Sequence, residues 1–430
     1  MDGAAERALR ILRIGGPGRF DRSLARELAT GFDVERVSSE AVADAALCAR
    51  ASSFDAILVD GSSLARGETV PRTVGRLLQR EPGLKVIVLV ADGDAATADA
   101  ALASGAWDVA LLGGETPLAP RLRAAGALRR LETNCGDADP VEERPRRMVG
   151  TSDAMRGVFA LIDRVAPSDA PVLILGESGT GKELAALTIH ERGPRAGSPF
   201  VPIHCAAVEE SLRGGGETGR GGTLFLDEIG ELAPASQGTL LRFLEDRGAE
   251  PVGRPGRIGN DLRVIAAASR DVHGDVARGG LHDDLYRRLA GSVIELPPLR
   301  ARPDDLLLLA HLELRRHARE VGRALRGFSP GAIDAMWRWE WPGNVRELIH
   351  RIRRAAVVAE GPFVTPSDLD LDPDAGRAPL LTLREAQVRA EIECIQGALE
   401  RTGGNRSRAA RALGISRSTL YELLRRHSLE

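Results

Sequence analysis

The stretch Val172-Leu-Ile-Leu-Gly-Glu-Ser-Gly-Thr-Gly-Lys182 decides the fold of the chain around it. The apolar run indicates a buried strand, and the glycine-rich turn that follows leads into helix-prone residues. The spacing Gly176-x-x-x-x-Gly181-Lys182 matches the Walker A phosphate-binding motif, except that Glu183 replaces the usual Ser or Thr. The alternative is a glycine-rich turn with an incidental lysine. We expect this loop to bind ATP through Gly176, Glu177, Ser178, Gly179, Thr180, Gly181, Lys182 and Glu183.

The chain has 430 residues, which predicts two to four domains. Its net charge of −3 argues against a uniformly basic coat, so any DNA contact must be local. The four cysteines are scattered without a CxxC pair and give no metal or disulfide framework. No apolar run approaches ~18 residues and no signal-peptide pattern is present. These features predict a cytoplasmic protein that makes no membrane contact.

Residues 1–131 alternate short apolar strands with helical stretches, which predicts a doubly wound, open parallel α/β sheet. This layout resembles the receiver domain of bacterial response regulators. Asp60 ends the third strand, where receivers place the phosphoacceptor. However, glycines replace the acidic pair after the first strand, Ala91 stands in place of Ser or Thr, and no lysine follows the fifth strand. We therefore expect a degenerate receiver that acts in dimerisation or sensing, with Asp60 as a phosphoacceptor candidate only. Residues 132–147 are expected to form a linker.

A second apolar strand, in Gly222-Thr-Leu-Phe-Leu-Asp-Glu228, ends in two carboxylates. Downstream of a phosphate-binding loop this pattern predicts an ATPase core. Asp227 is expected to hold Mg²⁺ through water, and Glu228 to polarise the attacking water. Phosphoryl transfer depends on such positioning and on charge stabilisation more than on covalent chemistry.

The segments GESGTGKE, GGTLFLDEIGEL, LPPLRARPDDL and WPGNVREL resemble the AAA+ domain of sigma-54-dependent transcriptional activators, the enhancer-binding proteins. The resemblance covers residues 148–371 and implies an α/β core over 148–300 and a helical lid over 301–371. It also implies that Arg346 is a sensor II arginine, which reaches nucleotide phosphates from the lid. Arg288 matches an arginine finger, which completes the site of a neighbouring subunit. The lid tryptophans, at positions 337, 339 and 341, are interpreted as packing residues rather than a base-stacking platform.

The sequence departs from this family in the parts that couple hydrolysis to sigma-54 remodelling. Only the glycine-rich segment 213–221 stands where the family carries roughly thirty residues with the GAFTGA loop, and such a bridge cannot form a helical hairpin. His204 replaces an Asn that restrains the catalytic Glu, and His282 replaces the first finger arginine. Ser269 is the polar residue left in the sensor I region. We expect nucleotide binding with weak or absent hydrolysis.

Residues 372–381 read as a second linker, and residues 382–430 as an all-α helix-turn-helix domain. The segment GNRSRAARALGISRSTLYELLRRH resembles the Fis-type domain that ends the same activator family. Such domains bind as dimers, and the amphipathic helix Leu383–Arg401 is the expected dimer contact. The residues expected to contact double-stranded DNA are Arg406, Arg417, Ser418, Thr419, Tyr421 and Arg425.

These features together predict a DNA-binding transcription regulator of the two-component type with an ATP-binding AAA+ domain. We expect it to act at promoters with RNA polymerase, as a homodimer or larger homo-oligomer, without remodelling the sigma-54 form of the polymerase. One alternative is an ATP-hydrolysing sigma-54-dependent activator. The other is a transcription factor that senses a nucleotide or cyclic dinucleotide as a switch.

Overall fold

The computed structural model of the chain divides into two compact units, residues 1–371 and residues 372–430. The described residues are 8–16, 25–29, 31–39, 42–43, 54–64, 67–112, 116–134, 148–205, 222–245, 262–269, 271–371, 406–416, 419–420 and 424.

The first sheet confirms the predicted doubly wound α/β architecture of the N-terminal region. All its strand pairs are parallel, and the strand order is β2-β1-β3-β4-β5. The central strands β3 and β4 consist of apolar residues apart from Asp60 and are buried except for Ala91, as expected when helices cover both sides of a parallel sheet. The strands are β1 (Leu9–Ile14), β2 (Phe32–Val37), β3 (Ala56–Asp60), β4 (Val86–Ala91) and β5 (Asp108–Leu112).

Three helices of this region are described: α1 (Val70–Arg80), α2 (Ala95–Ala103) and α3 (Leu118–Asn134). The sequence also predicts helices near residues 23–29 and 42–49. Residues 25–27 are helical, whereas residues 44–49 lie outside the described residues. The linker is expected to begin at residue 132, but α3 continues through Asn134. Glu132 explains the extension, since its carboxylate bonds Lys85 and Arg315 and thereby holds the last turn of the helix.

The second sheet is also parallel and has the strand order β10-β6-β9-β8-β7. The central strand is β9. It lies between β6, which is the strand of the opening motif, and β8. The strands are β6 (Val172–Leu175), β7 (Phe200–His204), β8 (Thr223–Asp227), β9 (Arg263–Ala268) and β10 (Val293–Glu295). The helices of this core are α4 (Asp153–Val165), α5 (Lys182–Glu191), α6 (Pro234–Glu245), α7 (Val272–Ala277) and α8 (Asp283–Leu289).

A small helical lid follows the second sheet. Its helices are α9 (Pro303–Glu320), α10 (Pro330–Arg338) and α11 (Asn344–Val358), and its short strands β11 (Gly327–Phe328) and β12 (Phe363–Val364) pair in parallel. Ser329 caps α10 by accepting a hydrogen bond from the amide of Ala332. Trp341 is 1% exposed within the lid core, and Trp337 packs against that core, whereas Trp339 is 40% exposed beneath the Arg351 guanidinium. Two of the three tryptophans therefore pack as predicted.

The receiver-like region and the lid share one hydrophobic core. Ala124 and Leu128 of α3 belong to the same buried cluster as the lid residues of α9, α10 and α11. Polar and aromatic contacts also join the two regions. Arg121 of α3 binds both Asp108 of β5 and Asp334 of the lid, and the ring of Trp107 contacts that of His311 in a tilted arrangement with centroids 4.3 Å apart. The first 371 residues therefore pack as one body.

The second unit contains the helix α12 (Arg406–Ala412), followed by a turn at Gly414, whose φ is +69°. Ala409, Ala410, Leu420 and Leu424 form its buried cluster. Ser416 accepts a hydrogen bond from the amide of Thr419, as expected for a helix cap. The expected linker 372–381 and the expected dimer helix Leu383–Arg401 lie outside the described residues.

Among the described residues, no helix combines the length and apolar character that crossing a membrane requires.

Candidate functional site: the phosphate-binding loop and the lid

The opening motif forms a strand, a loop and a helix in the predicted order. β6 ends at Leu175, and α5 begins at Lys182. Gly179 and Gly181 have φ angles of +77° and +104°, which side chains on L residues rarely adopt. The hydroxyl of Thr180 donates to the carbonyl of Glu177 and tightens the turn. The loop thus has the backbone conformation that a phosphate cradle needs.

Lys182 is buried and lies at the centre of this site. Its ammonium donates to the Gly176 carbonyl at 3.0 Å and forms an ion pair with Glu228 Oε1 at 2.9 Å. Glu228 follows β8 in the left-handed region, with φ of +52°, and this conformation turns its side chain back toward the loop. The structure therefore brings together Lys182, which is predicted to bind phosphate, and Glu228, which is predicted to be the catalytic carboxylate.

The other residues predicted for this site occupy several positions around it. Asp227 ends β8, half-buried, and pairs in register with His204 at the end of β7. Glu183 is exposed on the first turn of α5, and Ser269 is exposed at the end of β9. Arg288 is exposed on α8 and has no acidic partner among the described residues, whereas its neighbour Arg287 pairs with Asp283. An exposed, unpaired arginine is what a finger directed at another subunit requires.

The lid contacts the loop directly through Arg346 and Asn344. Arg346 Nη1 donates to Ser178 Oγ at 3.0 Å, so this predicted residue does lie at the loop. Asn344 is fully buried, and its Nδ2 donates to the Ser178 carbonyl at 3.0 Å. Sequence reasoning singled out Arg346 and missed Asn344, although both belong to the same WPGNVREL segment.

Two further arginines lie at this site and were not predicted from the sequence. Arg300 binds the Glu177 carboxylate with both terminal nitrogens, at 2.7 and 2.5 Å. Arg302 is 2% exposed and donates to the Thr180 carbonyl at 3.1 Å. Burial lowers the pKa of the Arg302 guanidinium, and Asp305 opposes that shift. The pair of basic residues in LPPLRARPDDL, directly after an apolar strand, was the available signal.

Cys205 lies beside the acidic end of β8 and is 3% exposed. Burial raises the pKa of its thiol to about 12, and the charges of Asp227, Glu231 and Glu228 act in the same direction. A thiol held neutral in this way is a poor nucleophile. The charged groups described at this edge of the sheet are therefore the Asp227 and Glu228 carboxylates and the Lys182 ammonium.

Asp60 of the receiver-like region ends β3 and is 1% exposed. Its Oδ2 accepts from Arg13 Nη2 at 2.9 Å, and its Oδ1 accepts from the amide and hydroxyl of Ser62. Arg13 belongs to β1, so a guanidinium supplies the positive charge beside this carboxylate. Both carboxylate oxygens are engaged, which is a poor arrangement for phosphoryl transfer to Asp60.

The second unit contains the residues predicted to contact DNA. Arg406 and Thr419 are exposed, Arg406 on the first turn of α12 and Thr419 just after the capping residue Ser416. Arg417, Ser418, Tyr421 and Arg425 lie outside the described residues. The described part of the unit has the helix, turn and cap of a helix-turn-helix.

Comparison with known families divides the chain as the fold does. The sigma-54 interaction domain matches residues 148–216 and 213–295, the AAA+ ATPase lid domain matches residues 300–379, and the Fis family of bacterial regulatory proteins matches residues 388–427. The transcriptional regulatory protein ZraR of Klebsiella oxytoca is 38% identical over 405 residues, which cover 87% of this chain and 89% of the relative. The response regulator protein FleR of Pseudomonas aeruginosa is 35% identical over 401 residues, which cover 81% and 83%.

The chain belongs to the sigma-54-dependent response-regulator activator family.

The chain is also similar to a solved structure of NtrX from Brucella abortus in complex with ADP. That structure covers 98% of this chain and 100% of its own, with 28% identity and a TM-score of 0.51. The NtrX complex with ATP has 29% identity and the same TM-score. Membership of this family accounts for the order of the parts: a receiver-like sheet, a P-loop AAA+ domain with its lid, and a Fis-type helix-turn-helix.

Proposed function

We propose that this chain is a sequence-specific DNA-binding transcription regulator whose AAA+ domain binds ATP with Mg²⁺ and does not remodel the sigma-54 polymerase. The proposal rests on one combination: the residues expected to bind phosphate lie together, and the segment expected to contact sigma-54 is short. Lys182, Glu228 and the loop are in place, whereas residues 213–221 alone occupy the position of the family's sigma-54 contact loop.

The phosphate site supports nucleotide binding by its donor set. The Lys182 ammonium is a compact cation suited to β- and γ-phosphate oxygens, and the α5 N-terminus adds partial positive charge. Arg346 reaches the same loop from the lid and would extend the positive field toward the phosphates. Mg²⁺ prefers oxygen ligands and retains several waters, so the Asp227 carboxylate, half-buried at the strand end, would hold it through water.

The family match supports the absence of remodelling, because it is split into two segments that meet at residues 213–216. A continuous family domain would match in one piece, so the split is what a missing internal segment produces. His204 adds to this argument. It pairs with Asp227 across the sheet where the resemblance predicts an Asn that restrains the catalytic carboxylate.

ATP hydrolysis is the second candidate function, and two observations favour it. Glu228 lies at the loop, 2.9 Å from the Lys182 ammonium, and Arg288 is exposed on α8. If a neighbouring subunit received Arg288 beside its nucleotide, the arginine would stabilise charge in phosphoryl transfer. Turnover would then depend on protein concentration, since each site is completed by another copy.

DNA binding is assigned to the second unit, as a dimer on double-stranded promoter DNA. The Fis-type match and the exposed basic residues, Arg406 and Arg408 among them, suit contacts to phosphate. Nucleotide binding in the AAA+ domain would favour a homo-oligomer that places several such dimers along a promoter, where they meet RNA polymerase.

One set of measurements with purified protein tests the proposal. Calorimetry with ATP and Mg²⁺ measures affinity, phosphate release measures turnover, and footprinting on the protein's own upstream DNA measures DNA binding. We expect ATP binding that Lys182→Ala weakens about 10- to 100-fold, as expected for lost hydrogen bonds to a charged group. Transcription in vitro with each polymerase form completes the test: activity that strictly requires sigma-54 would overturn the proposal.

A further inference from the structure

Gly179 is not one of the glycines that the phosphate-binding pattern requires, since those are Gly176 and Gly181. Yet its φ is +77°, and a Cβ atom there would lie 2.3 Å from the carbonyl oxygen of Gly343 and 3.1 Å from the Cβ of Arg346. Both neighbours belong to the lid. The glycine at this position is therefore needed for close approach of the lid, because any side chain would meet lid backbone.

The lid helix α11 begins at this contact. Gly343 precedes it without a side-chain cap, and the first amides of a helix have no partner within the helix. The amides of Val345 and Arg346 donate instead to the carbonyl of Gly179, at 3.0 and 3.3 Å. The phosphate-binding loop thus supplies the cap of the lid helix from outside the lid.

The side chains around Gly179 reinforce the same contact. Asn344 is buried with φ of +51°, a conformation that Asn tolerates better than most residues. Its Nδ2 donates to the Ser178 carbonyl and, at 3.2 Å, to Glu177 Oε2, while its Oδ1 accepts from the Leu299 amide at 2.8 Å. Glu177 in turn binds Arg300 through both of its oxygens.

We propose that Glu177, Ser178 and Gly179 form a lid-docking segment within the phosphate-binding loop. They are positioning residues: they hold the start of α11, and therefore Arg346, against the loop. The inference rests on the proposed function, in that the loop is taken to bind nucleotide. Its consequence is that any ligand that reshapes the loop must also move the lid helix, because the two share a carbonyl and a buried amide side chain.

The test compares Gly179→Ala with Gly181→Ala. Both substitutions strain a backbone with positive φ, but a Cβ at Gly181 meets only the end of the Met148 side chain, at 3.8 Å, and no lid atom. Hydrogen exchange of the Val345 and Arg346 amides, measured without nucleotide, reports docking. We expect Gly179→Ala to speed exchange of these amides about tenfold or more, and Gly181→Ala to leave it near the wild-type rate.

Gly157→Ala, in α4 with open space around it, serves as the control for a harmless glycine substitution. Calorimetry with ATP is the second arm. If wild-type protein binds no ATP, the proposed function fails while the exchange arm still tests docking. Wild-type protection of Val345 and Arg346 in the Gly179→Ala variant would overturn the docking inference, whatever the affinity for ATP.

A charge exchange provides a test that leaves the loop backbone unchanged, in case Gly179→Ala fails to fold. Glu177→Arg and Arg300→Glu, made singly, place like charges together and should speed exchange at the start of α11. The double variant restores opposite charges and should return exchange toward the wild-type rate. Single variants without effect, or a double variant no better than the singles, would count against the proposal.

Discussion

Lys182 and Lys85 are the two lysines of the chain, and the buried ammonium of each forms an ion pair with a glutamate. Lys85 binds Glu132 at 2.8 Å and holds the end of α3, and burial lowers the pKa of its ammonium. Lys182 binds Glu228 at the phosphate-binding loop. The two pairs have different roles. The Lys85–Glu132 pair joins the start of β4 to the last turn of α3, and the Lys182–Glu228 pair joins the two residues expected to act on phosphate.

The Lys182–Glu228 ion pair predicts how a Glu228→Gln variant binds ATP. The carboxylate competes with phosphate for the ammonium, so a neutral amide should tighten ATP binding by about threefold to tenfold. Calorimetry measures the affinity, and Glu231→Gln, an exposed carboxylate nearby, is the matched control. Unchanged or weaker binding of ATP by Glu228→Gln would show that the ion pair does not compete with phosphate.

The Arg13–Asp60 pair predicts a large loss of stability when one partner is removed. Arg13→Met leaves the Asp60 carboxylate buried without its guanidinium, which costs about 3–5 kcal/mol of unfolding free energy. The double variant Arg13→Met with Asp60→Leu replaces the pair by apolar groups and should regain most of that loss. Urea unfolding of both variants measures this, and equal losses in the two would contradict the account. Incubation of wild-type protein with acetyl phosphate should leave Asp60 unmodified.

The sequence located Asp60 correctly but could not show its partner. A carboxylate at the end of a buried strand is visible as a pattern, and so is the missing acidic pair. The side chain that faces Asp60 across the sheet depends on strand order and register, since Arg13 reaches it only because β1 lies beside β3. Arg302 and Asn344 were missed for the same reason: their importance comes from which loop they touch.

At the scale of elements, the packing of α3 on α9 is the largest difference from expectation. The sequence predicts both helices and places them in separate domains, with a linker from residue 132. Hydrophobic periodicity reveals that a helix has an apolar face, but not which element covers it. In the structure that face, including Ala124 and Leu128, is covered by the lid.

This interface predicts that truncation on a receiver-like helix destabilises the lid. Leu128 is 1% exposed within the shared core, so Leu128→Ala should cost about 2–5 kcal/mol of unfolding free energy. Val357→Ala, on an exposed position of the lid helix α11, is the control and should change stability by less than about 0.5 kcal/mol. Hydrogen exchange of α9 amides should rise in the first variant alone. Loss confined to the receiver-like sheet would argue that the two regions do not share a core.

At the scale of the whole first unit, burial of His311 at the interface makes the stability of the unit depend on pH. It is 4% exposed between Trp107 and Phe328, and its Nε2 has no hydrogen-bond partner in the described part of the chain. Burial lowers the pKa of its imidazole to about 3, and the nearby charges of Arg315, Lys85 and Arg121 add to that shift. The folded unit therefore holds this ring neutral.

The direction of the pH effect follows from that lowered pKa. The unfolded chain binds a proton at His311 near pH 6.5 and the folded chain near pH 3, so stability falls as pH drops below 6.5. The loss approaches about 1.4 kcal/mol for each pH unit between these values. His190 is also buried with a lowered pKa and adds to the loss in the same direction. Urea unfolding at pH 7 and pH 5.5, compared between wild type and His311→Phe, isolates the contribution of His311. An identical pH dependence in the two proteins would refute it.

The core shared by α3 and the lid also bears on how such a chain evolves. Domains that recombine freely in evolution meet through few buried side chains, because each must fold beside new neighbours. Here Leu128, Trp107 and Arg121 fit surfaces of the lid, so a receiver inherited from a relative would bring a mismatched face. The sensory and nucleotide-binding parts are therefore expected to descend together, with compensating substitutions paired across α3 and α9 in each lineage. The receiver-like region would then be retained for its packing on the lid, whether or not Asp60 is phosphorylated, because Leu128 fills part of the lid core.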